Sequence, residues 1–366
     1  MDNSFKNKKN DPKFWRTIKE DWKKTPVRRT IKQNWRELRD FYLSTEQQKK
    51  LEKMNRLKRW IIISWWLLKA MFFKLTPMRR LLLIISIILI LRVNIGVGDG
   101  TTIVTNPFIG YLILIFILML ELKDKLLAHS ELQEGKSVQI ALLPDENPEI
   151  SGWDCWLFTR PANDVGGDLV DFMQLEENKF YLALGDVAGK GLGAALLMSK
   201  LQSTLRALAQ DFKNLEDLGS KINTIFHRDS LPTKFASLVY LETETNSGKV
   251  RMLNAGHFQP LILKGEKITE TEKGAPALGI MNNTKYKELR FNLEKDDILF
   301  VYSDGLTEAC NENEEFYGDE NLQRTLRNSR NLSCNEIGKK IMLSVDSFVG
   351  DAPLHDDLSM IILKKK

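Results

Sequence analysis

From Trp153 onward, this 366-residue chain is a series of short apolar segments separated by polar turns, with helical segments grouped between them. Short turns such as Asn246-Ser247-Gly248 typically join strands that pair in antiparallel fashion. The pattern therefore predicts an α+β fold with antiparallel sheets, rather than a doubly wound α/β fold. The predicted strands are residues 154–160, 179–187, 236–243, 249–255, 260–263, 297–303 and 359–363. The predicted helices are residues 194–210, 215–228 and 336–348.

Aspartates stand at the ends of several of these predicted strands, in most cases beside a glycine. They are Asp168, with Asp171 shortly after it, Asp186, Asp304 and the pair Asp356-Asp357. Any one of them alone could be an ordinary turn residue. Several aspartates at one edge of a core repel one another and lose hydration, which costs several kcal/mol per ion unless a cation compensates. Because Mg²⁺ and Mn²⁺ prefer oxygen ligands, the pattern predicts a site for two such cations that activates a water molecule and binds a phosphate.

Other kinds of metal or phosphate site do not fit the sequence. It contains no HExxH, no CxxC and no cluster of histidines, so a zinc site is disfavoured. The glycine-rich segment 185–191 lacks the spacing and the hydroxyl of a Walker A loop. Residues 189–194 fit GxGxxA, but Asp186 would face the pyrophosphate of a dinucleotide, so that site is rejected as well. Lys190 in this loop is interpreted as a solvated residue, with a contact to substrate phosphate as the alternative.

Five motifs that follow one another in order give the chain a resemblance to a known family. They are 161–168 (PANDVGGD), 185–198 (GDVAGKGLGAALLM), 254–257 (NAGH), 303–308 (SDGLTE) and 355–359 (HDDLS). With these motifs, residues 138–366 resemble the PPM (type 2C) metal-dependent Ser/Thr protein phosphatases, in the SpoIIE/RsbU-like bacterial branch. Five ordered motifs are specific, whereas each alone would be a weak signal. The resemblance implies an α-β-β-α sandwich of two antiparallel sheets flanked by helices, with the metal site at one edge.

The resemblance also implies roles for individual residues. Asp186 is expected to bridge both metal ions, and the carbonyl of Val187 to bind one of them. Asp304 and Asp356 are expected to bind the second ion, and Asp168 to contribute directly or through water. Asp186 and Asp304 are the residues assigned to catalysis. The residues that are expected to support the site, or whose role is left open, are Asp171, Asp357, Lys190, Asn254 and His257.

The function that follows is hydrolysis of phosphoserine or phosphothreonine in a protein by a metal-activated water. By analogy with this branch, the substrate would be a phosphorylated anti-anti-sigma factor with a STAS domain. The alternative is a catalytically silent PPM-fold sensor or scaffold at the membrane. The presence of all the expected carboxylates favours the enzyme.

The N-terminal region differs from the rest in charge and in hydrophobicity. Residues 1–80 contain 23 Lys and Arg against 8 Asp and Glu, whereas the remaining residues contain 30 against 40. Apolar runs at 81–91 and 108–120, joined by a glycine-rich turn, predict a transmembrane helical hairpin over 78–121, with a pair of buried core helices as the alternative. The positive-inside rule then predicts a multi-pass protein of the inner membrane, with the phosphatase domain in the cytoplasm. The three cysteines show no disulfide pattern, which fits that reducing compartment.

The remaining segments complete the predicted domain organisation. The basic arm, residues 1–77, is expected to contact membrane lipid, and nucleic acid is the less favoured partner. Within it, residues 60–75 are interpreted as a helix lying in the membrane interface, with a third span as the alternative. Residues 122–143 are predicted to form a linker helix whose apolar stripe could pair with a second copy of the chain. The PPM-type phosphatase domain is predicted over residues 144–366.

Overall fold

The computed structural model describes residues 51, 54–91, 95–97, 101–103 and 107–366, and for the two three-residue segments it describes the backbone alone. The chain divides into two compact units, of which the first ends at Lys125 and the second is Leu126–Lys366. Most of the predicted basic arm, up to residue 50, lies outside the described residues.

The described part of the N-terminal unit contains two helices, a short β-ribbon and the first part of a long helix. Their bounds are α1 Arg56–Lys74, α2 Pro77–Ile90, β1 Ile95–Val97, β2 Thr101–Ile103 and α3 Pro107–Leu142. Arg79 on α2 donates hydrogen bonds to Glu121 (2.7 Å) and Asp124 (2.6 Å) on α3. The hydroxyl of Ser86 donates to the carbonyl of Gly110 at 2.7 Å, where the glycine allows the two helices to approach closely. These contacts hold α2 against the first part of α3.

No helix within residues 54–91 and 107–366 is both long enough and apolar enough to cross a membrane. Helix α2 has only 14 residues. The predicted span 108–120 and the predicted linker helix 122–143 form one continuous helix of 36 residues, in which charged side chains begin at Glu121. Neither apolar run reaches the ~20 residues that the hydrocarbon core requires, so the structure does not support the predicted transmembrane hairpin. The helix predicted at 60–75 is present as α1, and its position relative to a membrane stays a prediction.

The C-terminal unit is built on two five-stranded antiparallel sheets, as predicted. The first sheet has the strand order β10-β7-β6-β5-β4 and the second β3-β12-β11-β8-β9. The strands are β3 Trp153–Arg160, β4 Asp168–Glu176, β5 Lys179–Val187, β6 Ala236–Glu244, β7 Lys249–Ala255, β8 Leu261–Lys264, β9 Lys267–Glu270, β10 Glu288–Asn292, β11 Ile298–Tyr302 and β12 Leu358–Lys365. The helices are α4 Leu192–Leu208, α5 Leu215–Asp229, α6 Asp304–Thr307, α7 Gly318–Arg327 and α8 Cys334–Val349.

Three apolar layers hold the sheets and helices together. Successive strand residues point to opposite faces, so Tyr181 on β5 packs under α4 and α5, whereas Leu182 packs against the other sheet. Val301 on β11 belongs to that central layer between the sheets. Met198 on α4 covers the outer face of the first sheet, and Ile341 on α8 covers the outer face of the second. This is the α-β-β-α arrangement that the family resemblance implies.

Each predicted strand and helix of this unit has a counterpart whose bounds differ by at most two residues. The elements that the sequence analysis missed are β4, β9, β10, α6 and α7. Strands β9 and β10 are polar, largely exposed edge strands, so they lack the apolar alternation that identifies a half-buried strand. Strand β4 carries buried aspartates at positions 168 and 171, which obscure its apolar pattern.

Candidate metal centre

In the first sheet, the β4–β5 hairpin brings two of the predicted ligands together. Strand β4 begins at Asp168, and β5 ends with Asp186 and Val187. The antiparallel register places Asp168 directly opposite Asp186. The N–H of Val187 donates to the carbonyl of Gly167 at 3.4 Å, which continues the pairing to the end of β5. The strand register therefore explains why these two carboxylates are neighbours.

In the second sheet, a serine joins the segments that carry the other two predicted ligands. Asp304 begins the single-turn helix α6 directly after β11, and Asp356 lies just before β12. The backbone N–H of Ser303 donates to the carbonyl of Ser359 (3.0 Å), and the Ser303 hydroxyl donates to the carbonyl of Asp357 (3.1 Å). The N–H of Ser359 donates in turn to the Ser303 hydroxyl (2.9 Å). The sequence analysis did not single out these serines, although each lies in a motif that contains a predicted ligand.

Burial and neighbouring charges raise the pKa values of three of the four carboxylates from the two sheets. Burial, followed by the charges of Asp304 and Asp356, raises the pKa of Asp186 to about 7. Burial and then the charge of Asp356 raise the pKa of Asp304. Asp168 is only 4% exposed, and burial and then the charge of Asp186 raise its pKa as well. The side chains that the sequence predicted as ligands therefore form one electrostatic cluster at one end of the sandwich.

The donor atoms of this cluster suit a hard divalent cation. All of its side chains offer carboxylate oxygens, and Oδ2 of Asp168 is buried with no hydrogen-bond partner in the described part of the chain. A buried carboxylate oxygen without a partner is costly unless a cation or a proton compensates for it. Among the residues that the structure describes, no three His, Cys, Asp or Glu side chains are already grouped as a metal-ion site. Charge and donor chemistry thus fit Mg²⁺ or Mn²⁺, and the individual ligand assignments stay predictions.

Asp357 holds the loop that leads into Asp168. Its carboxylate accepts hydrogen bonds from the backbone N–H groups of Ala162 (2.7 Å), Gly167 (2.5 Å) and Asp168 (3.4 Å). Its own N–H donates to Oδ1 of Asp356 at 2.9 Å. Hydrogen bonds from amides to a carboxylate are among the strong ones in proteins, so Asp357 fixes the position of the β4 end relative to β12. This is a positioning role, separate from that of a metal ligand.

The glycine-rich loop after β5 depends on one lysine and one glycine. The ammonium of Lys234 donates to the carbonyl of Ala188 at 2.9 Å. Gly189 has a φ of +116°, and a Cβ placed on it would lie 2.2 Å from Nζ of Lys234. A positive φ of this size favours glycine, whereas the flexible end of the lysine side chain can move. The hydrogen bond from Lys234, a residue that the sequence analysis did not identify, therefore helps to hold the loop.

Lys190 lies at the mouth of the carboxylate cluster. Its Nζ is 3.1 Å from Oδ2 of Asp356, and it also donates to the carbonyl of His355. The side chain is 53% exposed, so it remains accessible from the solvent. Its ammonium compensates part of the negative charge of the cluster. The two interpretations offered by the sequence, a solvated residue and a contact to substrate phosphate, both stay predictions.

Asp171 lies in a separate buried network and not in the carboxylate cluster. It accepts hydrogen bonds from the hydroxyl of Tyr181 (2.5 Å), from Gln202 (3.1 Å) and from the guanidinium of Arg206 (2.6 Å). Gln202 and Arg206 also donate to the carbonyl of Leu142, at the end of α3. Asp171 therefore ties helix α4 to the sheet and to the end of α3, which is a structural role.

Asn254 and His257 shape the turn after β7. Oδ1 of Asn254 accepts from the N–H of His257 (2.9 Å), and Nδ2 donates to the carbonyl of His257 (3.2 Å). The His257 ring contacts the hydroxyl of Ser237 through Nδ1 (2.7 Å) and the carbonyl of Tyr302 through Nε2 (3.0 Å). Burial lowers the pKa of His257 to about 4, so the ring is neutral near neutral pH. Ser237 could not be identified from the sequence, because its importance depends on its register opposite Asp186.

Comparison with solved structures defines the class of this fold. The SiaA-PP2C domain of Pseudomonas aeruginosa matches with a TM-score of 0.58 at 15% identity, over 66% of this chain and 99% of that one. The RsbU and RsbW domains of a Mycobacterium tuberculosis protein match with a TM-score of 0.51 at 21% identity, over 60% of this chain and 61% of that one. Because both sequence identities are low, the structural similarity establishes the PP2C-type fold alone.

Comparison of sequences then gives the family. The family model of stage II sporulation protein E (SpoIIE) matches residues 176–366, a little over half of the chain, and the chain therefore belongs to the SpoIIE family. The phosphoserine phosphatase RsbU of Bacillus subtilis is 28% identical over 240 residues, which cover 65% of this chain and 70% of RsbU. Protein IcfG of Synechocystis is 28% identical over 260 residues, and the match spans 63% of this chain but only 41% of IcfG.

Proposed function

We propose that this chain is a metal-dependent protein serine/threonine phosphatase. The observation that carries the proposal is the electrostatic cluster at the strand ends, in which Asp186 lies opposite Asp168 in the strand register and the charges of Asp304 and Asp356 act on it. Without bound cations, such a concentration of negative charge destabilises the fold. Bound cations compensate the charge, so the cluster indicates a functional metal site. Membership in the SpoIIE family and similarity to RsbU, which is named a phosphoserine phosphatase, support the same activity.

In this proposal the protein provides the ligands and keeps them in place. The groups that would hold two divalent cations are the carboxylates of Asp168, Asp186, Asp304 and Asp356 and the carbonyl of Val187. Such ions lower the pKa of a water molecule and neutralise the charge of a phosphate, whose monoesters are among the slowest of all substrates to hydrolyse without a catalyst. Asp357 holds the loop before β4, and Ser303 joins the ends of β11 and β12, so the carboxylates are positioned before substrate binds.

The proposed substrate is a phosphorylated protein rather than a small metabolite. The name of RsbU supports phosphoserine as the group that is hydrolysed. A phosphorylated anti-anti-sigma factor with a STAS domain is the specific substrate that we propose. We propose that Lys190 attracts the phosphate group of such a substrate, and its exposure beside Asp356 supports this role.

The test is phosphate release by the full chain with Mn²⁺, from p-nitrophenyl phosphate and from a phosphoserine STAS protein. We expect Asp186→Ala and Asp304→Ala to lower the rate by more than about 100-fold, since even outer partners of metal ligands are worth about 10- to 100-fold. Asp211→Asn, at an exposed position between α4 and α5, is the matched control and should be as active as the wild type. Metal binding without turnover by the wild type would favour a silent scaffold, and full activity of both alanine variants would reject the proposed site.

We also propose that the N-terminal unit attaches the enzyme to the cytoplasmic face of the inner membrane. Helix α1 exposes large apolar side chains, among them Trp65, Leu68 and Phe73, beside basic residues such as Lys69. Apolar and basic side chains on one helix suit an anionic lipid surface. Flotation of the full chain with phosphatidylglycerol-containing vesicles tests this location. We expect Trp65→Ser with Leu68→Ser to reduce flotation, and flotation equal to that of the wild type would contradict the proposal.

A homodimer through α3 is the last part of the proposed function. Leu122, Leu126 and Val138 on α3 are exposed and lie along the stripe that the sequence identified. Burying such a stripe against its copy is the usual reason for helices to pair. Light scattering with size-exclusion chromatography should give a dimer for the wild type and a monomer for Leu126→Lys. A monomeric wild type at micromolar concentration would reject the dimer.

A further inference from the structure

A hydrogen-bonded chain of three residues connects the two sheets beside the proposed metal centre. It runs from the hydroxyl of Ser237 on β6 through the ring of His257 to the carbonyl of Tyr302, the last residue of β11. Ser237 is the register partner of Asp186 on the neighbouring strand. Tyr302 lies two residues before Asp304 in the sequence. These hydrogen bonds therefore connect β6, which pairs with the strand of Asp186, to the end of β11, which leads into Asp304.

The contacts of the ring define its protonation. The carbonyl of Tyr302 can only accept, so Nε2 of His257 must carry the proton and donate. In a neutral ring Nδ1 is then an acceptor, and the hydroxyl of Ser237 donates to it. One defined tautomer thus satisfies both contacts.

The turn that carries His257 is itself tightly held. Asn254 bonds the N–H and the carbonyl of His257 and also the carbonyl of Phe258 (3.3 Å). Gly256 has a φ of +69°, which glycine adopts without strain. The ring of Phe258 stacks on that of Tyr302, with 5.9 Å between the centroids. The position of the imidazole is therefore determined by backbone and side-chain contacts together.

We propose that Ser237 and His257 form a positioning link that sets the distance between the strand ends carrying Asp186 and Asp304, and through it the affinity for the divalent cation. The proposal rests on the function proposed above. The layer between the sheets is apolar and its contacts are not directional, so the relative position of the strand ends depends on directional contacts such as those of Asp357. A directional hydrogen-bonded link at the end of the sheets restricts shifts of these strand ends where the ligands must converge. Outer partners of metal ligands are typically worth about 10- to 100-fold in metal affinity.

The test is calorimetric titration of the metal-free full chain with Mn²⁺, together with thermal unfolding of the same metal-free samples. We expect His257→Leu to weaken Mn²⁺ binding about 10-fold and Ser237→Ala to weaken it by a smaller factor. The double variant should bind no more weakly than His257→Leu, since both substitutions break the same link. His257→Gln keeps a donor for the Tyr302 carbonyl and should recover most of the affinity. For His257→Leu and Ser237→Ala, the rate of phosphate release at saturating Mn²⁺ should approach that of the wild type. At low Mn²⁺ the rate should stay below that of the wild type.

His227→Leu is the matched control, because its ring also bonds a backbone carbonyl, that of Gly279 (2.8 Å), on the exposed surface. A purely structural role of His257 would lower the unfolding midpoint and leave the Mn²⁺ dissociation constant within about twofold of the wild type; that result would overturn the link. If His257→Leu does not fold, Ser237→Ala and His257→Gln test the same prediction. Absence of Mn²⁺ binding by the wild type would instead overturn the proposed function.

A spectroscopic readout in the metal-free protein tests the link independently of the metal. Nitrogen-15 NMR should show His257 with the proton on Nε2, and its shifts should not titrate between about pH 5.5 and about pH 8. Replacing Ser237 with alanine should change the Nδ1 shift, since that nitrogen loses its donor. A proton on Nδ1, or titration near the ordinary histidine pKa, would overturn the proposed hydrogen-bonded chain.

Discussion

Replacing Asp186 with asparagine should stabilise the metal-free protein while it abolishes metal-dependent activity. The pKa of Asp186 rises from 3.8 to about 7 on folding. At pH 8 the Asp186 carboxylate is ionised, and this charge destabilises the folded state relative to the unfolded chain. At ~1.4 kcal/mol per pKa unit, this difference amounts to about 4 kcal/mol at pH 8. Neighbouring carboxylates relax when one charge is removed, so we expect about half of that value, ~2 kcal/mol, which corresponds to a rise of about 4–8 °C in the unfolding midpoint.

The sign of the pH dependence follows from proton linkage. The folded protein binds a proton at Asp186 more tightly than the unfolded chain does, so the wild type gains stability as the pH falls from about 8 towards about 4. The gain from Asp186→Asn should therefore be largest at pH 8 and fall to less than half of that at pH 5. Calorimetric unfolding in EDTA at both pH values measures it, with Asp211→Asn as the control. Destabilisation at pH 8, or the same gain at both pH values, would refute the reasoning.

Three further predictions test other parts of the unit. Arg206→Met should lower the free energy of unfolding by about 3 kcal/mol, because it removes the cation from the fully buried Asp171, and chemical denaturation measures the loss. Gly305→Ala should lower the unfolding midpoint and weaken Mn²⁺ binding, because its Cβ would lie 2.1 Å from the carbonyl oxygen of Asp357. Binding of Mn²⁺ to the wild type should release protons and tighten as the pH rises through about 7, where Asp186 loses its proton, as calorimetry in buffers of different ionisation enthalpy would show.

Each of these predictions has an outcome that contradicts it. Arg206→Met with wild-type stability would mean that Asp171 is adequately satisfied by Tyr181 and Gln202. Normal Mn²⁺ affinity in Gly305→Ala would mean that the approach of α6 to β12 does not matter for the site. Mn²⁺ binding that is independent of pH between about 6 and about 8 would mean that Asp186 is not protonated in the metal-free cluster.

Much of the fold could be predicted from the sequence because apolar alternation is a local signal. Strand β5, with its run from Phe180 to Leu184, was predicted with its observed bounds, and strand β7 of the same sheet was as well. Local signals did not identify β4, because this strand contains aspartates that are buried although aspartate is usually exposed. They also failed for α3, where the sequence suggested a membrane span followed by a separate helix and the structure has one continuous helix.

In the candidate site as well, some residues could be recognised from the sequence and others could not. Its carboxylates were recognisable because Asp186 and Asp304 stand directly after apolar strands in ordered motifs, which is information contained in neighbouring residues. The link through Ser237 and His257 was not recognisable, since it depends on a strand register and on a contact between two sheets. Sequence by itself determined which residue types bear the charge and where the strands lie, because hydrophobic periodicity and turn chemistry act over a few residues. Only the tertiary structure decided which side chains hold those charges in place, because hydrogen bonds between distant segments exist only once the two sheets have packed.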